Sequence, residues 1–227
     1  VDVPDLTQGT YVSLLDPEAY FVAPSRPRRR HRVHNNLLGN VQFCPFVRRS
    51  AALANKDSGA LRSALDQTIG QYDPDVFARA ISFLYTKETL SSFAIERETP
   101  SSMRADRFAQ LLKQLDTIDP WSEQQLAAIQ ARIVDERFAE TGYRGIQNYV
   151  GESVDLTRQH IHYVPPQPEA VRDLMEGLTL AARELEAQGD VDAVVWAACV
   201  SFGFVYIHPF IDGNGRLHRF LIHYILA

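Results

Sequence analysis

The pattern of apolar positions becomes helical after residue 50. Leucine and isoleucine recur at roughly helical spacing from 58 to 69, which predicts one amphipathic helix. A second helix is expected to begin at Asp73 and Pro74, with Asp73 as the N-cap and Pro74 in the first turn. Its apolar stripe runs toward Leu90. The pattern therefore predicts two helices between residue 58 and Leu90.

Three more segments also have apolar residues at helical spacing. The residues 108–115 form one, and a longer one opens at Asp119 and continues to Phe138. The third begins at Pro168 and ends at Gly189, a residue suited to the left-handed end of a helix. Together these segments predict a helical bundle.

The segment 190–207 is apolar on nearly every side. Val194, Ala198 and Phe202 recur at helical spacing, and Cys199 lies among them. A helix that is apolar all round belongs at the centre of a bundle. We therefore predict a central helix here, with Cys199 as a buried free thiol.

The helical period is lost between 142 and 164. Glycines appear, polar and apolar residues alternate from Gln159 to Val164, and Pro165 and Pro166 end the stretch. Such alternation between turn residues indicates a loop with a short β-hairpin.

Residues 1–50 carry five prolines and no clean period, which predicts an irregular arm with a short strand near 10–15. Five arginines lie within Arg26–Arg32. This strip could bind an acidic partner or nucleic acid, or it could be a solvated loop on the domain; we favour the second. The segment 36–47 is apolar enough to dock on the core.

Composition narrows the class of protein. The chain has 227 residues, 45% of them hydrophobic and 22% charged, as in globular proteins. A net charge of −5 makes nucleic-acid binding an unfavoured function. Two distant cysteines give no disulfide framework, and neither a signal peptide nor a membrane span is evident. We expect a cytoplasmic protein with no membrane association, and the sequence is compatible with a homo-oligomer.

The densest chemistry lies in the twelve residues His208–Arg219, HPFIDGNGRLHR. Proline and glycine break the preceding helix, and Asn214 is a good N-cap for a helix that starts near Gly215. A helix N-terminus offers free N–H groups and the positive end of the dipole, and glycine lets phosphate approach the backbone. This arrangement predicts a phosphate site.

The charged side chains of the same stretch fit that site. Arg216 and Arg219 are three residues apart, so they share one helix face, and guanidinium groups grip phosphate oxygens in pairs. Asp212 is a hard oxygen ligand suited to Mg²⁺. His208 could take a proton from an incoming hydroxyl group.

The stretch resembles the Fic (Fido) family motif, His-Pro-Phe-x-Asp/Glu-Gly-Asn-Gly-Arg-x-x-Arg, at every specified position. The resemblance implies an all-α, Fic-type helical bundle with a short β-hairpin flap near the active site. It also implies a protein adenylyltransferase that uses Mg²⁺ and ATP and moves AMP to a Ser, Thr or Tyr hydroxyl of a target protein.

By motif position, the resemblance implies a role for each matching residue. His208 is the general base, and Asp212 is the Mg²⁺ ligand. The residues Gly213, Asn214 and Gly215 form the anion hole. Arg216 and Arg219 hold the distal phosphates.

A second stretch, Ser91-Ser92-Phe93-Ala94-Ile95-Glu96-Arg97-Glu98, is similar to the family's inhibitory motif, Ser/Thr-x-x-x-Glu followed by Gly or Asn. Ser92 and Glu96 match, whereas Arg97 departs from Gly or Asn. Its place ahead of the catalytic loop is that of the subgroup with an N-terminal inhibitory helix. The resemblance implies that Glu96 pairs with Arg219 and takes the place of the ATP γ-phosphate.

The hairpin around 143–164 looks like the family's flap, which covers the active site. A strand edge there could pair with an extended segment of the target protein. His160 and His162 alternate along the second strand and suggest a metal pair, but no third ligand is obvious in the sequence, so we interpret them as flap surface.

These features predict three regions: an irregular arm or extension over 1–50, a helical region with the inhibitory motif over 51–105, and the Fic catalytic core over 106–227. Two other functions stay open. One is a hydrolase that removes AMP with Glu96 as activator. The other is a catalytically silent module that only binds peptides at the flap.

Overall fold

The computed structural model of the chain describes residues 4–54, 58–155, 158–189 and 191–227. These residues form eight α-helices and seven short strands. The helices are α1 (Ala51–Ala54), α2 (Ser58–Ile69), α3 (Pro74–Ile95), α4 (Ser102–Leu112), α5 (Glu123–Ile133), α6 (Pro168–Gln188), α7 (Ala193–Ile207) and α8 (Asn214–Leu226). The prediction of an all-α, Fic-type helical bundle with a short hairpin is confirmed.

Side-chain caps explain where several helices begin. The carboxylate of Asp73 accepts a hydrogen bond from the Asp75 N–H at the start of α3, as the sequence predicts, and Asp192 caps α7. Gly189 ends α6 with φ 67°, the left-handed conformation that glycine adopts without strain. Its neighbour at position 190 lies outside the described residues.

The helix predicted from Asp119 to Phe138 is shorter than expected. Its N-cap is Ser122, whose hydroxyl accepts from the Gln125 N–H, and α5 ends at Ile133. The local hydrogen bond of Ser122 decides the start, and Phe138 belongs to a separate 3-10 turn.

The core lies where α7 and α8 pack against each other and against α4, α5 and α6. Its largest fully buried side chains include five phenylalanines. These are Phe93, Phe108, Phe204, Phe210 and Phe220. Two of them come from the loop and helix that follow α7, so the predicted phosphate loop is built directly on the core.

The prediction for α7 is half right. Val200, Phe204 and Ile207 are buried on one side, but the stripe of Val194 and Phe202 faces outward, with Phe202 64% exposed. The sequence could not separate the two sides, because both are apolar.

The N-terminal arm contains five short strands: β1 (Val12–Ser13), β2 (Tyr20–Phe21), β3 (Arg26–Arg28), β4 (Val33–Asn35) and β5 (Val47–Arg48). In the first sheet β4 lies between β1, its parallel neighbour, and β3, its antiparallel neighbour, and β2 pairs with β5 antiparallel.

The arm docks on the bundle through a small apolar cluster, as predicted for its apolar segment. Ala23 and Leu38 are buried there with Leu185 of α6 and Cys199 of α7. The Asn40 side chain also donates to the carbonyl of Gly177 at 2.7 Å. The arm therefore stabilises α6 and α7 from outside.

The arginine strip is exposed along β3. Arg26 of this strip faces Glu184 of α6 at 3.4 Å. Part of its charge is therefore balanced by the bundle itself.

The predicted hairpin consists of β6 (Val150–Ser153) and β7 (Gln159–Tyr163), which pair antiparallel. Glu152 lies opposite His160, and the register shifts near Val150 and Gly151. Tyr163 fixes the base of β7 to α7 by donating its hydroxyl to the carbonyl of Tyr206 at 2.6 Å. We call residues 143–164 the flap.

No helix among the described residues is both long enough and apolar enough to cross a membrane.

Candidate functional site

The loop between α7 and α8 turns through two left-handed residues. His208 is the C-cap of α7 with φ 56°, and Gly213 precedes α8 with φ 88°. The predicted N-cap, Asn214, is instead the first residue of α8, and Gly213 takes the cap position without a side-chain bond. The first amides of α8 are therefore left for another acceptor, as a phosphate site requires.

The Asn214 side chain closes the loop from inside. Its Oδ1 accepts from the Phe210 N–H at 3.0 Å, and its Nδ2 donates to the Phe210 carbonyl at 2.7 Å. Both residues are buried. Asn214 thus fixes the shape of the loop, whose two glycines, Gly213 and Gly215, line the adjoining cleft.

The His208 imidazole is oriented by its own helix. Its Nδ1 lies 3.1 Å from the Val205 carbonyl, which can only accept, so Nδ1 carries the proton. Nε2 of the neutral ring is then the basic nitrogen. Burial lowers the pKa of His208 below the usual value, and the nearby Arg144 guanidinium lowers it further. At neutral pH the ring is therefore uncharged, and Nε2 is free to accept a proton.

Asp212 and Arg216 face each other across the start of α8. Arg216 Nη2 donates to Asp212 Oδ1 at 2.8 Å, and the Gly213 N–H donates to the same oxygen at 2.6 Å. Within the described residues, Asp212 Oδ2 accepts no hydrogen bond. The second oxygen is available to a cation.

A buried network that the sequence did not reveal holds Arg216 in place. Its Nη1 donates to Glu98 at 2.5 Å, and the other oxygen of Glu98 pairs with Arg104. The Phe93 ring lies 5.2 Å from both guanidinium carbons. Glu98 is only two residues from the inhibitory motif, but no spacing rule points to its bridging role.

Arg219 reaches the other way, to the end of α3. It donates from Nε to the Ser92 hydroxyl at 2.6 Å and from Nη2 to the Ser92 carbonyl at 2.9 Å. Nη2 also contacts Glu96 Oε1 at 2.7 Å. The structure therefore brings together Ser92, Glu96 and Arg219, from parts of the chain more than 120 residues apart.

The Glu96 carboxylate lies against the N-terminus of α8. A Cβ atom added to Gly215 would collide with it, so this glycine permits the close approach. Glu96 is the C-cap of α3, and Arg97 follows with φ 56°. The family's Gly or Asn at that position suits a left-handed residue, and here Arg97 adopts the same conformation.

Arg144 is the structural link between the flap and the loop, and the sequence did not single out this role. Its N–H and side-chain Nε donate to the carbonyls of Pro209 and His208, both at 2.8 Å. The guanidinium also donates to the carbonyls of Ile146 and Pro166 at 3.0 and 2.5 Å. The residue is 3% exposed. One side chain thus fixes three backbone segments.

We expect Arg144→Lys to destabilise the fold by about 2–4 kcal/mol, because an ammonium group cannot reach all three side-chain acceptors and buried carbonyls lose their donor. Denaturant unfolding measures the change. Arg137→Lys is the matched control, since Arg137 is 79% exposed and pairs with Asp135 on the surface. Its effect should stay within about 0.5 kcal/mol. Equal effects of both substitutions would contradict the assigned role of Arg144.

Two further polar residues position Asp212. The buried Gln130 donates to the Asp212 carbonyl at 3.1 Å, and Glu140 Oε2 accepts from the Ile211 N–H at 2.7 Å. Burial raises the pKa of Glu140, and the negative charge of Asp212 contributes to the rise. Both lie near a 3-10 turn whose site role the sequence did not indicate.

A cleft of about 330 Å³ lies at the start of α8. It is lined by His208, Asp212 and Gly213–Gly215 of the loop, by Glu96, and by Tyr149–Gly151 of the flap. The flap also contacts the end of α3 through Arg97 and Glu152, 3.5 Å apart.

The donor set fits Mg²⁺ bound together with phosphate. Magnesium in phosphoryl-transfer sites takes one or two carboxylates and completes its shell with phosphate oxygens and water. Asp212 supplies such a carboxylate next to the α8 N-terminus, with one oxygen already oriented by Arg216.

Comparisons with known proteins agree with this geometry. The sequence profile of the Fic/DOC family matches residues 120–226. Among the solved structures that are similar to this chain are two Fic-domain proteins. One is a Fic family protein from Desulfovibrio desulfuricans G20, with 21% identity and a TM-score of 0.53 over 78% of this chain and 58% of that one.

The other is a Fic domain containing signaling protein from Bacteroides thetaiotaomicron VPI-5482, with 19% identity and a TM-score of 0.52 over 70% of this chain and 68% of that one. At such identities the two structures show a shared fold, and this chain spans 58% of the length of the Desulfovibrio protein. The profile match, the shared fold and the loop motif agree, and residues 120–226 of the chain match the Fic/DOC family.

Proposed function

We propose that this protein is a protein adenylyltransferase that moves AMP from ATP to a hydroxyl of a target protein, and that Glu96 inhibits it. One observation carries the proposal. A single cleft holds an unprotonated imidazole, a carboxylate and the N-terminus of α8, and an acidic side chain from α3 lies in the same cleft.

The phosphates bind at the start of α8. The first amides of α8, those of Asn214 and Gly215, donate to phosphate oxygens, and the helix dipole favours the negative charge. Arg219 binds the terminal phosphate once Glu96 has left it. Arg216 lies beside Asp212 and adds positive charge near the bound phosphates. Mg²⁺, when bound at Asp212, neutralises charge on the phosphate oxygens.

The transfer step uses His208 as the general base. Nε2 accepts the proton of the target hydroxyl, and the oxygen attacks the α-phosphorus in line. A new oxygen–phosphorus bond forms, and the bond from the α-phosphorus to the bridging oxygen breaks. The leaving group is pyrophosphate. The backbone amides at the start of α8 stabilise the negative charge on the phosphoryl oxygens.

Inhibition follows from competition for Arg219. The Glu96 carboxylate engages the guanidinium that the γ-phosphate of ATP needs, at 2.7 Å. ATP binds productively only when this pair separates. Each 1.4 kcal/mol by which the pair is preferred lowers the competent population about tenfold.

The target protein docks at the flap. A two-stranded hairpin has strand edges with unpaired backbone groups, and an extended segment of the target can add to one of them. Since Tyr149–Gly151 line the cleft, a segment paired there presents its Ser, Thr or Tyr hydroxyl toward His208.

The fall of kcat/KM for AMP transfer at low pH should follow the pKa of His208. Burial and Arg144 lower this pKa, so the neutral base persists as pH falls through the usual imidazole value of about 6.5, and is lost only below it. We expect the acidic midpoint of kcat/KM in Glu96→Gly protein to lie below pH 6.5. A midpoint above that value would contradict the proposed environment of the base.

The position of the transferred label tests the reaction itself. Glu96→Gly protein is incubated with Mg²⁺ and ATP labelled at either the α- or the γ-phosphate, together with a cell lysate. Adenylyl transfer retains α-label on protein and no γ-label. Retention of γ-label alone would indicate phosphate transfer and would overturn the proposal. Release of AMP from a pre-labelled target, abolished by Glu96→Gly, would favour the hydrolase.

A further inference from the structure

Three potential metal ligands meet on the exposed surface of the flap. Glu152 of β6 and His160 and His162 of β7 place one oxygen and two ring nitrogens within 4.8 Å of one another. The sequence alone shows no third ligand next to the two histidines. The hairpin register supplies it, because Glu152 lies directly opposite His160.

His162 lies at the register shift of the hairpin, two residues from His160, so the two side chains share one face of β7. Val150 pairs with Tyr163 while Gly151 pairs with Ile161, so His162 is the extra residue on β7. The two imidazole centroids lie 4.5 Å apart. His162 Nε2 is 3.6 Å from Glu152 Oε1.

These distances are near those of a metal site. Ligand bonds of 2.0–2.2 Å in tetrahedral geometry would place the ligand atoms about 3.4 Å apart. The pair of His162 and Glu152 needs almost no movement to reach this value. All three side chains are exposed, so small rotations bring His160 into range and an ion can enter from solvent.

The carboxylate is also oriented for binding through one oxygen. Glu152 Oε1 faces His162, while Oε2 faces Arg97 Nη1 at 3.5 Å. Groups that hold the second oxygen of a ligating carboxylate are typical outer-shell partners in metal sites. Arg97 therefore plays this part, from the turn that follows α3.

We propose that Glu152, His160 and His162 form a binding site for a divalent transition metal of the zinc class, separate from the Asp212 carboxylate. Two imidazoles and one carboxylate select such an ion, whereas Mg²⁺ prefers oxygen ligands alone. Three protein ligands leave a fourth position open. The bound ion joins β6 to β7 and makes the flap more rigid where it approaches the cleft.

The test measures Zn²⁺ binding without nucleotide, so it does not depend on the proposed reaction. Tag-free protein competes with a chromogenic chelator for Zn²⁺ in excess Mg²⁺. We expect one equivalent to bind to the parent chain. Glu152→Ala, His160→Ala and His162→Ala should each weaken binding by at least the 10–100-fold known for losing outer-shell partners. His31→Ala, at another exposed histidine, should leave it unchanged.

A second readout identifies the ligands directly. Co²⁺ bound by nitrogen and oxygen ligands in a tetrahedral site absorbs visible light, and this absorption should appear with the parent and with His31→Ala but not with the three site variants. Circular dichroism verifies that each variant is folded. Failure of the parent to bind Zn²⁺ in excess Mg²⁺, or equal binding by His160→Ala and His31→Ala, would overturn the proposal.

Discussion

Replacing Glu96 by glycine should raise the initial rate of AMP transfer at least about tenfold. The substitution removes the carboxylate that contacts Arg219, so the guanidinium becomes available to the γ-phosphate. Glu96 is the C-cap of α3 and not an interior residue, where glycine costs about 0.5–1 kcal/mol, so the helix should persist. The rate is measured as α-label incorporated into protein at fixed Mg²⁺ and ATP.

The matched control is another glutamate of the same helix. Glu88 also reaches α8, where it lies 3.4 Å from His223, but it does not line the cleft. Glu88→Ala should therefore transfer AMP at the parent rate. Equal activation by both substitutions would show that loosening of α3 against α8, and not release of Arg219, raises the rate.

Replacing His208 should lower the transfer rate about 10²–10⁴-fold in the Glu96→Gly background, the usual contribution of a general base. His208 has φ 56°, a conformation that costs alanine roughly 1–2 kcal/mol. Asparagine adopts it more readily. Both His208→Ala and His208→Asn should be made, and the rate of each measured with ATP labelled at the α-phosphate.

The pair of substitutions separates chemistry from backbone strain. If the imidazole is the base, His208→Ala and His208→Asn lose activity equally, although the asparagine variant unfolds at higher denaturant concentration. An asparagine variant that keeps activity within about tenfold of its background would mean that the loop geometry, and not the base, carries the reaction.

Much of the fold was predictable because helix ends depend on local chemistry. Asp73 and Pro74 predicted the start of α3, and Pro168 and Gly189 predicted both ends of α6. Where two signals compete, as at the start of α5, the serine hydroxyl bond decided the boundary and the sequence interpretation was wrong.

The exposed face of α7 shows a different limit. Each side of that helix is apolar, so the sequence pattern does not indicate which side is buried. The docking of neighbouring elements decides it. Its outward face borders an apolar groove lined by Phe43, Phe46 and Phe202.

The candidate site likewise contains some residues whose roles were predictable from the sequence and others whose roles were not. The catalytic loop was predictable because its twelve residues are contiguous and each type has its own chemistry. The bridging role of Glu98 and the backbone bonds of Arg144 depend on contacts across 118 and 64 residues. No local pattern encodes such contacts, and the same holds for Glu152, which becomes a partner of His160 only through hairpin register.

AMP transfer and its inhibition by Glu96 are tested together by comparing three proteins: the parent chain, Glu96→Gly and Glu96→Gly/His208→Ala. Each is incubated with Mg²⁺ and ATP labelled at the α-phosphate, alone and with a cell lysate. We expect weak label with the parent, strong label with Glu96→Gly, and at least about 100-fold less label with the double variant than with Glu96→Gly. Absence of label from all three proteins, or undiminished label with the double variant, would contradict the proposed function.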